Sequence, residues 1–358
     1  MTGHLDARRR LGRAARADRL PQVILLAGPA GVGKQRLALW LAQLVLCERR
    51  DEEPCGRCRA CRLVDGLAHA DLHWFVPIPR PKAADPDKAV DEAAQAIADV
   101  MDERRTRPLY GRPDGMASHS MASVRLLQRH ASLTAVEGGR RVFILGDADR
   151  LVPQESSQEA ANALLKLLEE PPAGSLFVLT TEEPRRLLPT IRSRAAPVRL
   201  GRLKDAEVRE FLERELEPPL EREALDERVA LGAGSIGDAV AASDERGRAQ
   251  RAAGQLIDAV LSGSAARYER ALRQAPFAAR GEFTAMLDAL AETLNDAARG
   301  RLGQPGRRPV PPALLERAEP DALLRAMERV AEAREAAAGN VNPQILLAVL
   351  GEELADAL

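Results

Sequence analysis

The sequence predicts an α/β core built around a phosphate-binding loop, with an embedded four-cysteine module, a small helical lid and an all-α C-terminal domain. Three features support this prediction. A glycine-rich loop directly follows an apolar run that begins at Val23, four cysteines lie between residues 47 and 61, and apolar residues recur at helical spacing in the last third of the chain. At 358 residues the chain is long enough for several domains, each with its own core.

The composition excludes several classes of protein. A hydrophobic content of 45% with 29% charged residues is typical of a folded globular chain and not of a disordered one. The net charge of -1 argues against a uniformly basic nucleic-acid binder. The polar, Arg-rich N-terminus does not resemble a secretory signal, and no stretch approaches the roughly 18 apolar residues of a membrane span. We therefore expect a cytoplasmic protein with no membrane partner.

The phosphate-binding loop follows an apolar run, Val23–Ala27, of the kind that forms a buried parallel strand. Residues 28–35 have the sequence G-P-A-G-V-G-K-Q, which matches G-x-x-x-x-G-K-[ST] except at the last position. The glycines let backbone N–H groups wrap a phosphate, and a helix from Lys34 to about Cys47 would point its N-terminus at it. The residues expected at this nucleotide site are Gly28, Gly31, Gly33, Lys34, Gln35 and Asp147.

Two departures from the motif affect the expected chemistry. Gln35 replaces the Ser or Thr whose hydroxyl coordinates magnesium. The second apolar strand, Val142–Leu145, is followed by Gly146 and Asp147, where an active enzyme would carry two acidic residues. Phosphoryl transfer depends on positioning and charge stabilisation, so these changes predict a site that binds ATP or ADP without hydrolysing it. Whether a nucleotide occupies the loop is left open.

All the cysteines of the chain fall in one cluster, which disfavours disulfide bonding and favours a metal. Four thiolates close in sequence suit a structural Zn²⁺ ion in tetrahedral coordination. Three alternatives remain open: an iron–sulfur cluster, because three of the cysteines have C-x2-C-x2-C spacing, replacement of one sulfur by His69 or His73, and no metal at all. The predicted zinc ligands are Cys47, Cys55, Cys58 and Cys61.

Further motifs resemble those of a known family. Residues 158–172 have the sequence Q-E-A-A-N-A-L-L-K-L-L-E-E-P-P, and residues 188–195 have L-P-T-I-R-S-R-A. Together with the phosphate-binding loop and the cysteines, they resemble the bacterial clamp-loader ATPases of the AAA+ class. Residues 339–343, G-N-V-N-P, are similar to that family's last collar motif. The resemblance covers most of the chain except roughly residues 77–120, and it implies an AAA+ core.

The departures favour one branch of that family. Gln35, Gly146 and Gly237, which stands where active subunits carry a nucleotide-contacting Arg, are similar to the delta-prime type and not to the ATP-hydrolysing gamma/tau type. The resemblance implies a non-hydrolysing subunit of the DNA polymerase III clamp loader. Its implied partners are gamma/tau and delta subunits in a hetero-pentameric ring, the sliding clamp, and primed DNA through the assembly.

Arg194 corresponds to the arginine finger that this family presents to a neighbouring subunit's ATP, although Ala195 replaces the family's usual Cys. Such an arginine accelerates phosphoryl transfer by roughly 10³- to 10⁵-fold. The alternative is that Arg192 and Arg194 are ordinary surface charges after a strand.

Three domains are predicted: a core over residues 1–201, a lid over 202–243 and a collar over 244–358. Within the core, the cysteine module spans about 47–61, and an insertion spans about 77–120. The insertion is expected to be a surface loop with a helix at Asp87 to Arg104. Its basic stretch at 104–107 is expected to be solvated, and contact with DNA or a partner is the alternative. The collar prediction depends on apolar residues at helical spacing, namely Phe283, Met286, Leu287, Leu290 and Leu294, with further stripes at Leu323, Met327 and Val330 and at Ile345, Val349 and Leu350.

Two other functions are compatible with parts of the sequence. The first is a gamma/tau-type motor subunit that hydrolyses ATP with an unusual magnesium site. The second is a nucleotide-free zinc module unrelated to replication.

Overall fold

A computed structural model describes residues 1–49, 51–107, 117–137, 139–151, 159–216, 218–241, 245–275, 281–304, 310–339 and 341–358. The first residue of the 158–172 motif, residue 340 of the collar motif and residues 108–116 of the insertion lie outside this set. The chain divides into two compact units, Met1–Glu207 and Val208–Leu358.

The first unit contains a five-stranded parallel sheet in the order β2-β3-β4-β1-β5. The three strands in the middle are apolar runs buried along their whole length, as expected for a parallel sheet covered on both faces. The strands are β1 (Val23–Ala27), β2 (Leu72–Phe75), β3 (Arg141–Leu145), β4 (Ser175–Thr181) and β5 (Ala196–Arg199). The two strands predicted from apolar runs, Val23–Ala27 and Val142–Leu145, are therefore confirmed.

Helices cover this sheet, and α2 begins at Lys34, directly after the phosphate-binding loop. The apolar residues Leu37 and Leu41 of α2 are fully buried against the sheet and anchor the helix there. The helices of the first unit are α1 (Leu5–Arg16), α2 (Lys34–Leu46), α3 (Arg59–Asp65), α4 (Pro86–Thr106), α5 (Met121–Ser132), α6 (Glu159–Glu169) and α7 (Pro189–Arg194).

The insertion is packed more closely than predicted. Its helix exists as α4, but Val90 and Ala93 of α4 are buried in the main core of the unit. An antiparallel bridge between Ile78 and Ser118 joins the two ends of the insertion. The prediction of a surface loop is therefore wrong for α4, because this helix has an apolar stripe that packs onto the core.

The second unit is all helical over its described residues. The predicted stripe on α13 is buried throughout, and Leu323 and Val330 are buried as well. On α16 the buried face is Leu347, Leu350 and Leu354, whereas Ile345 and Val349 are exposed, so that predicted face is only partly correct. The helices are α8 (Asp205–Glu215, which begins in the first unit), α9 (Arg222–Gly232), α10 (Ile236–Ala241), α11 (Glu245–Ser262), α12 (Ser264–Leu272), α13 (Glu282–Arg301), α14 (Pro312–Arg317), α15 (Pro320–Ala338) and α16 (Pro343–Ala357).

The predicted fold class is confirmed as an α/β core with a phosphate-binding loop, an embedded four-cysteine module and an all-α C-terminal part. The assignment of this core to the AAA+ class stays a prediction. The division into core, lid and collar stays a prediction, because the second compact unit includes residues assigned to both the lid and the collar. Within the described residues, no helix combines the length and the apolar character needed to cross a membrane.

Candidate nucleotide site and metal centre

The phosphate-binding loop lies where β1 ends and α2 begins. The Gly28 N–H donates to the Thr181 carbonyl of the neighbouring strand at 3.2 Å, which fixes the start of the loop. Gly31 and Gly33 have φ angles of 65° and 97°, in the left-handed region that favours glycine. Gly33 is the N-cap of α2, so the loop directs the N-terminal N–H groups of that helix into its own concave side.

Lys34 is 5% exposed and folds over the loop. Its Nζ donates to the carbonyl oxygens of Gly28 at 3.0 Å and Pro29 at 2.7 Å. The same Nζ lies 3.7 Å from a carboxylate oxygen of Glu182, which directly follows β4. The loop therefore holds the ammonium group of Lys34 against two backbone carbonyls and near a carboxylate.

Gln35 forms a bridge that the sequence did not predict. Its Nε2 donates to both carboxylate oxygens of Asp147 at 3.1 Å, and its Oε1 accepts from the Arg104 guanidinium at 3.1 Å. A Cβ at Gly146 would stand 3.1 Å from Cδ and Oε1 of Gln35, closer than most such contacts. The absence of a side chain at Gly146 thus makes room for Gln35, and the two departures from the motif form one packing arrangement.

Arg104 belongs to this site and is buried, so the prediction that it is solvated is wrong. Arg104 is 7% exposed, and its guanidinium lies 4.4 Å from the ring centroid of Trp74 on β2. The signal was present in the helical spacing, because Ala93, Ile97 and Arg104 fall on one stripe of α4. Arg104 continues the buried stripe, whereas residues 105–107 are exposed.

The end of β3 is held by backbone and side-chain contacts. Asp147 has a φ of 50°, and its N–H donates to Oγ1 of Thr180 at 2.9 Å. His119, from the far end of the insertion, donates from Nε2 to the Gly146 carbonyl at 2.7 Å. Burial lowers the pKa of His119, so its ring is neutral at pH 7. These contacts fix the position of the Asp147 carboxylate beside Gln35.

The four cysteines come together in space as predicted. Their Sγ atoms all lie within 4.8 Å of one another, with 4.0 Å between Cys47 and Cys58 and 3.9 Å between Cys55 and Cys61. Backbone N–H groups of residues 49, 58 and 61 donate to the sulfurs of Cys47, Cys55 and Cys58, respectively. A tetrahedral thiolate site with metal–sulfur bonds of about 2.3 Å has sulfurs about 3.8 Å apart. The donor set therefore fits a metal ion.

The acidity of these thiols differs with their surroundings. Burial raises the pKa values of Cys47 and Cys61, whereas hydrogen bonds from the backbone N–H groups of Arg57 and Cys58 lower the pKa of Cys55 to about 6. Two buried thiols therefore need a cation before they ionise, which is the usual behaviour of a metal-binding module.

The two histidines considered as alternative ligands have other contacts. His69 accepts from the Asp71 N–H at Nδ1, and its Nε2 lies 3.7 Å from Glu137. His73 stacks on Phe143 at 4.9 Å between ring centroids. Among the described residues, the group able to hold a metal consists of the four cysteines, without either histidine.

Arg194 ends α7 and is exposed. Its guanidinium donates to the Thr190 carbonyl at 2.9 Å and forms an ion pair with Glu169, the last residue of α6. Arg194 also lines a surface cavity of about 380 Å³ together with Pro21 and Leu168. Because this ion pair is exposed, the guanidinium can exchange Glu169 for an external anion. The role of Arg194 as an arginine finger stays a prediction.

The chain is similar in sequence to subunits of DNA polymerase III. The DNA polymerase III subunit delta' of Pseudomonas aeruginosa is 34% identical over 251 residues, which is 70% of this chain and 62% of that protein. The subunit of the same name from Bacillus subtilis strain 168 is 30% identical over 206 residues, which is 57% of this chain and 50% of that protein. The DNA polymerase III subunit tau/gamma of Haemophilus influenzae is 26% identical over 239 residues, covering 66% of this chain and 28% of that protein.

The chain thus spans between 50% and 62% of the length of these two delta' relatives. A family model described as DNA polymerase III, delta subunit matches residues 3–204, which include the phosphate-binding loop, the four cysteines and Arg194. This match extends over more than half of the 358 residues. The chain belongs to this DNA polymerase III subunit family.

Proposed function

We propose that this chain is a delta-prime-type subunit of a DNA polymerase III clamp loader, a largely non-hydrolysing AAA+ scaffold that supports ATP-driven loading of a sliding clamp onto primed DNA. Its partners in this role are gamma/tau and delta subunits in a hetero-pentameric ring. The greater identity to delta' subunits than to the tau/gamma subunit supports this assignment. In this proposal residues 202–243 are the lid and residues 244–358 are the collar that joins the ring.

The observation that carries the non-hydrolysing role is the bridge at Gln35. A hydrolysing site needs Asp147 and its neighbour to hold magnesium and to orient the attacking water. Here the Gln35 amide already occupies both oxygens of Asp147, and no side chain is available at Gly146. The loop can still bind ATP or ADP through its N–H groups and Lys34, but it lacks the groups that would activate water.

The proposed role of the four cysteines is to hold a structural Zn²⁺ ion. Four protein ligands leave no open coordination position for catalysis. The ion would cross-link Cys47, directly after α2, to the turn that precedes α3, at Cys55 and Cys58, and to α3 itself, at Cys61. Spectroscopy of the purified chain distinguishes zinc from an iron–sulfur cluster, because the cluster absorbs visible light and zinc does not.

The proposed role of Arg194 is to stabilise the transition state at a neighbouring subunit's ATP. The test is DNA-stimulated ATPase activity of the complex reconstituted from this chain and its gamma/tau and delta partners, with clamp and primed DNA. Arg194→Ala should reduce turnover at the site that it serves by up to about 10³-fold, while size-exclusion chromatography shows the intact complex. Arg192→Ala on the same helix is the matched control, and we expect it to leave turnover unchanged.

The same assay separates this role from that of a gamma/tau-type motor. The isolated chain should show no ATP turnover above that of a Lys34→Ala variant. Turnover by the isolated chain that Lys34→Ala abolishes would establish the motor function instead.

A further inference from the structure

Two buried residues of the insertion contact the candidate nucleotide site, one at the phosphate-binding loop and one at the end of β3. Arg104, near the end of α4, donates to Gln35, and His119, just after the Ile78–Ser118 bridge, donates to the carbonyl of Gly146. Both are buried, with 7% and 1% of their surface exposed. If the insertion only covered the surface, we would not expect two of its buried polar side chains to meet at this site.

Charged groups of both signs meet at this place. Among the described residues, Lys34 lies beside Glu182, and Arg104 is linked through Gln35 to Asp147. An Arg guanidinium stays protonated throughout the physiological pH range, so its charge is permanent. Gln35 connects this guanidinium to the carboxylate that would otherwise be a metal ligand.

The residues present do not fit a magnesium ion. Magnesium requires oxygen ligands in near-octahedral geometry at about 2.1 Å, and Asp147 is the acidic residue that remains at the end of β3 to supply one. Both oxygens of Asp147 accept hydrogen bonds from an N–H donor, and a guanidinium that would repel a dication lies on the other side of Gln35. A metal ion would have to displace Gln35 and approach Arg104.

We infer that Arg104 is the resident cation of this phosphate-binding loop. Together with Gln35, its guanidinium takes the position at which a hydrolysing loop holds a divalent cation. The loop therefore binds a nucleoside diphosphate without a metal ion. This inference deepens the proposed function. It rests on that function in one respect, namely that the loop is a nucleotide site without hydrolysis. The insertion then has a specific purpose, which is to deliver a permanent positive charge to that site.

The position of Arg104 is fixed well enough for this role. The apolar stripe of α4 anchors the helix through Val90 and Ala93, and the ring of Trp74 supports the guanidinium from β2. Arg105, the next residue, instead donates to the backbone carbonyls of Gly66 and Leu67. The two adjacent arginines thus provide a matched pair, one directed at the loop and one directed away from it.

The test is binding of a fluorescent ADP analogue (MANT-ADP) to the full chain in two buffers, one with 5 mM MgCl₂ and one treated with chelating resin before use. Resin-treated buffer replaces EDTA so that the cysteines keep their metal. We expect the dissociation constants in the two buffers to agree within about threefold, which is about 0.7 kcal/mol. A larger gain from magnesium, or no binding in either buffer, would overturn the inference.

Variants test the residue itself. Arg104→Met should weaken binding at least about tenfold, a loss of about 1.4 kcal/mol, and Arg105→Met should leave it unchanged. Equal binding by Arg104→Met and the native chain would sink the proposal. If circular dichroism shows that Arg104→Met is unfolded, Arg104→Lys replaces it, since a shorter cation should also weaken binding. Because these assays use the isolated chain, their failure is distinct from a failure of the ATPase test on the complex.

Discussion

The cysteine module and the end of β3 both gather groups that commonly bind metal ions, and they differ in how their charge is balanced. At the cysteine module, the contacts of the four sulfurs are one another and backbone N–H groups. At the end of β3, the carboxylate of Asp147 is bonded to Gln35, which is bonded in turn to the guanidinium of Arg104. The first site needs an external cation, and the second contains its own.

This difference shows why an acidic residue in a familiar motif position is weak evidence for a metal. A ligand is available only when the surrounding side chains leave its lone pairs free. Thiols whose pKa values are raised by burial remain neutral until a cation binds them, so they gain most from metal. A carboxylate that already accepts two hydrogen bonds from an amide would lose them on binding a metal.

A cysteine module that is stable without metal would contradict this difference between the two sites. Cys61→Ser should lower the zinc content from one ion per chain to nearly none and the free energy of unfolding by on the order of 4 kcal/mol. The reason is that the proposed ion would join α2 to α3, and the three remaining thiolates would bind it weakly. Elemental analysis and urea unfolding measure the two quantities. Arg57→Ala, an exposed change in the same turn, is the control, and unchanged stability of Cys61→Ser would disprove a structural metal.

A second change tests whether Gln35 really joins two charges. Gln35→Leu has similar volume and removes the hydrogen bonds to Asp147 and Arg104, so it should cost about 2 kcal/mol of unfolding free energy. Gln128→Leu removes a hydrogen bond to the neutral carbonyl of Ala163 and should cost about 1 kcal/mol. Urea unfolding of both variants gives the comparison. A cost for Gln35→Leu no greater than that for Gln128→Leu would contradict the bridge.

Much of the fold could be predicted because its signals are local. An uninterrupted apolar run defines β1, and the glycine-rich loop marks where the strand ends and α2 begins. The cysteine cluster could be predicted equally well, because four ligands within fifteen residues must lie near one another whatever the fold. The stripe on α13 was predictable because its period is that of a helix with one buried face.

The contacts of the site could not be predicted in the same way, because they join distant segments. Arg104 and Gln35 are 69 positions apart, and the pairing depends on where α4 packs. The motif showed that Gln35 and Gly146 depart from the usual residues, but not that one fills the space that the other leaves. The exposed position of Ile345 on α16 has a similar origin, since periodicity alone does not show which of two adjacent stripes meets the neighbouring helices.

A third test uses the ion pair between Arg194 and Glu169, which lies at the surface and not in a buried site. Both partners are partly exposed, so Glu169→Gln should change the free energy of unfolding by less than about 1 kcal/mol. If Arg194 acts on a neighbour's ATP, it must leave Glu169 to do so, and weakening the pair should raise turnover of the reconstituted complex by about two- to fivefold. Glu170→Gln, at the adjacent position, is the control and should leave turnover unchanged. A fall in turnover with Glu169→Gln would instead mean that Glu169 positions the finger, because an arginine that works where it already lies gains nothing from its release.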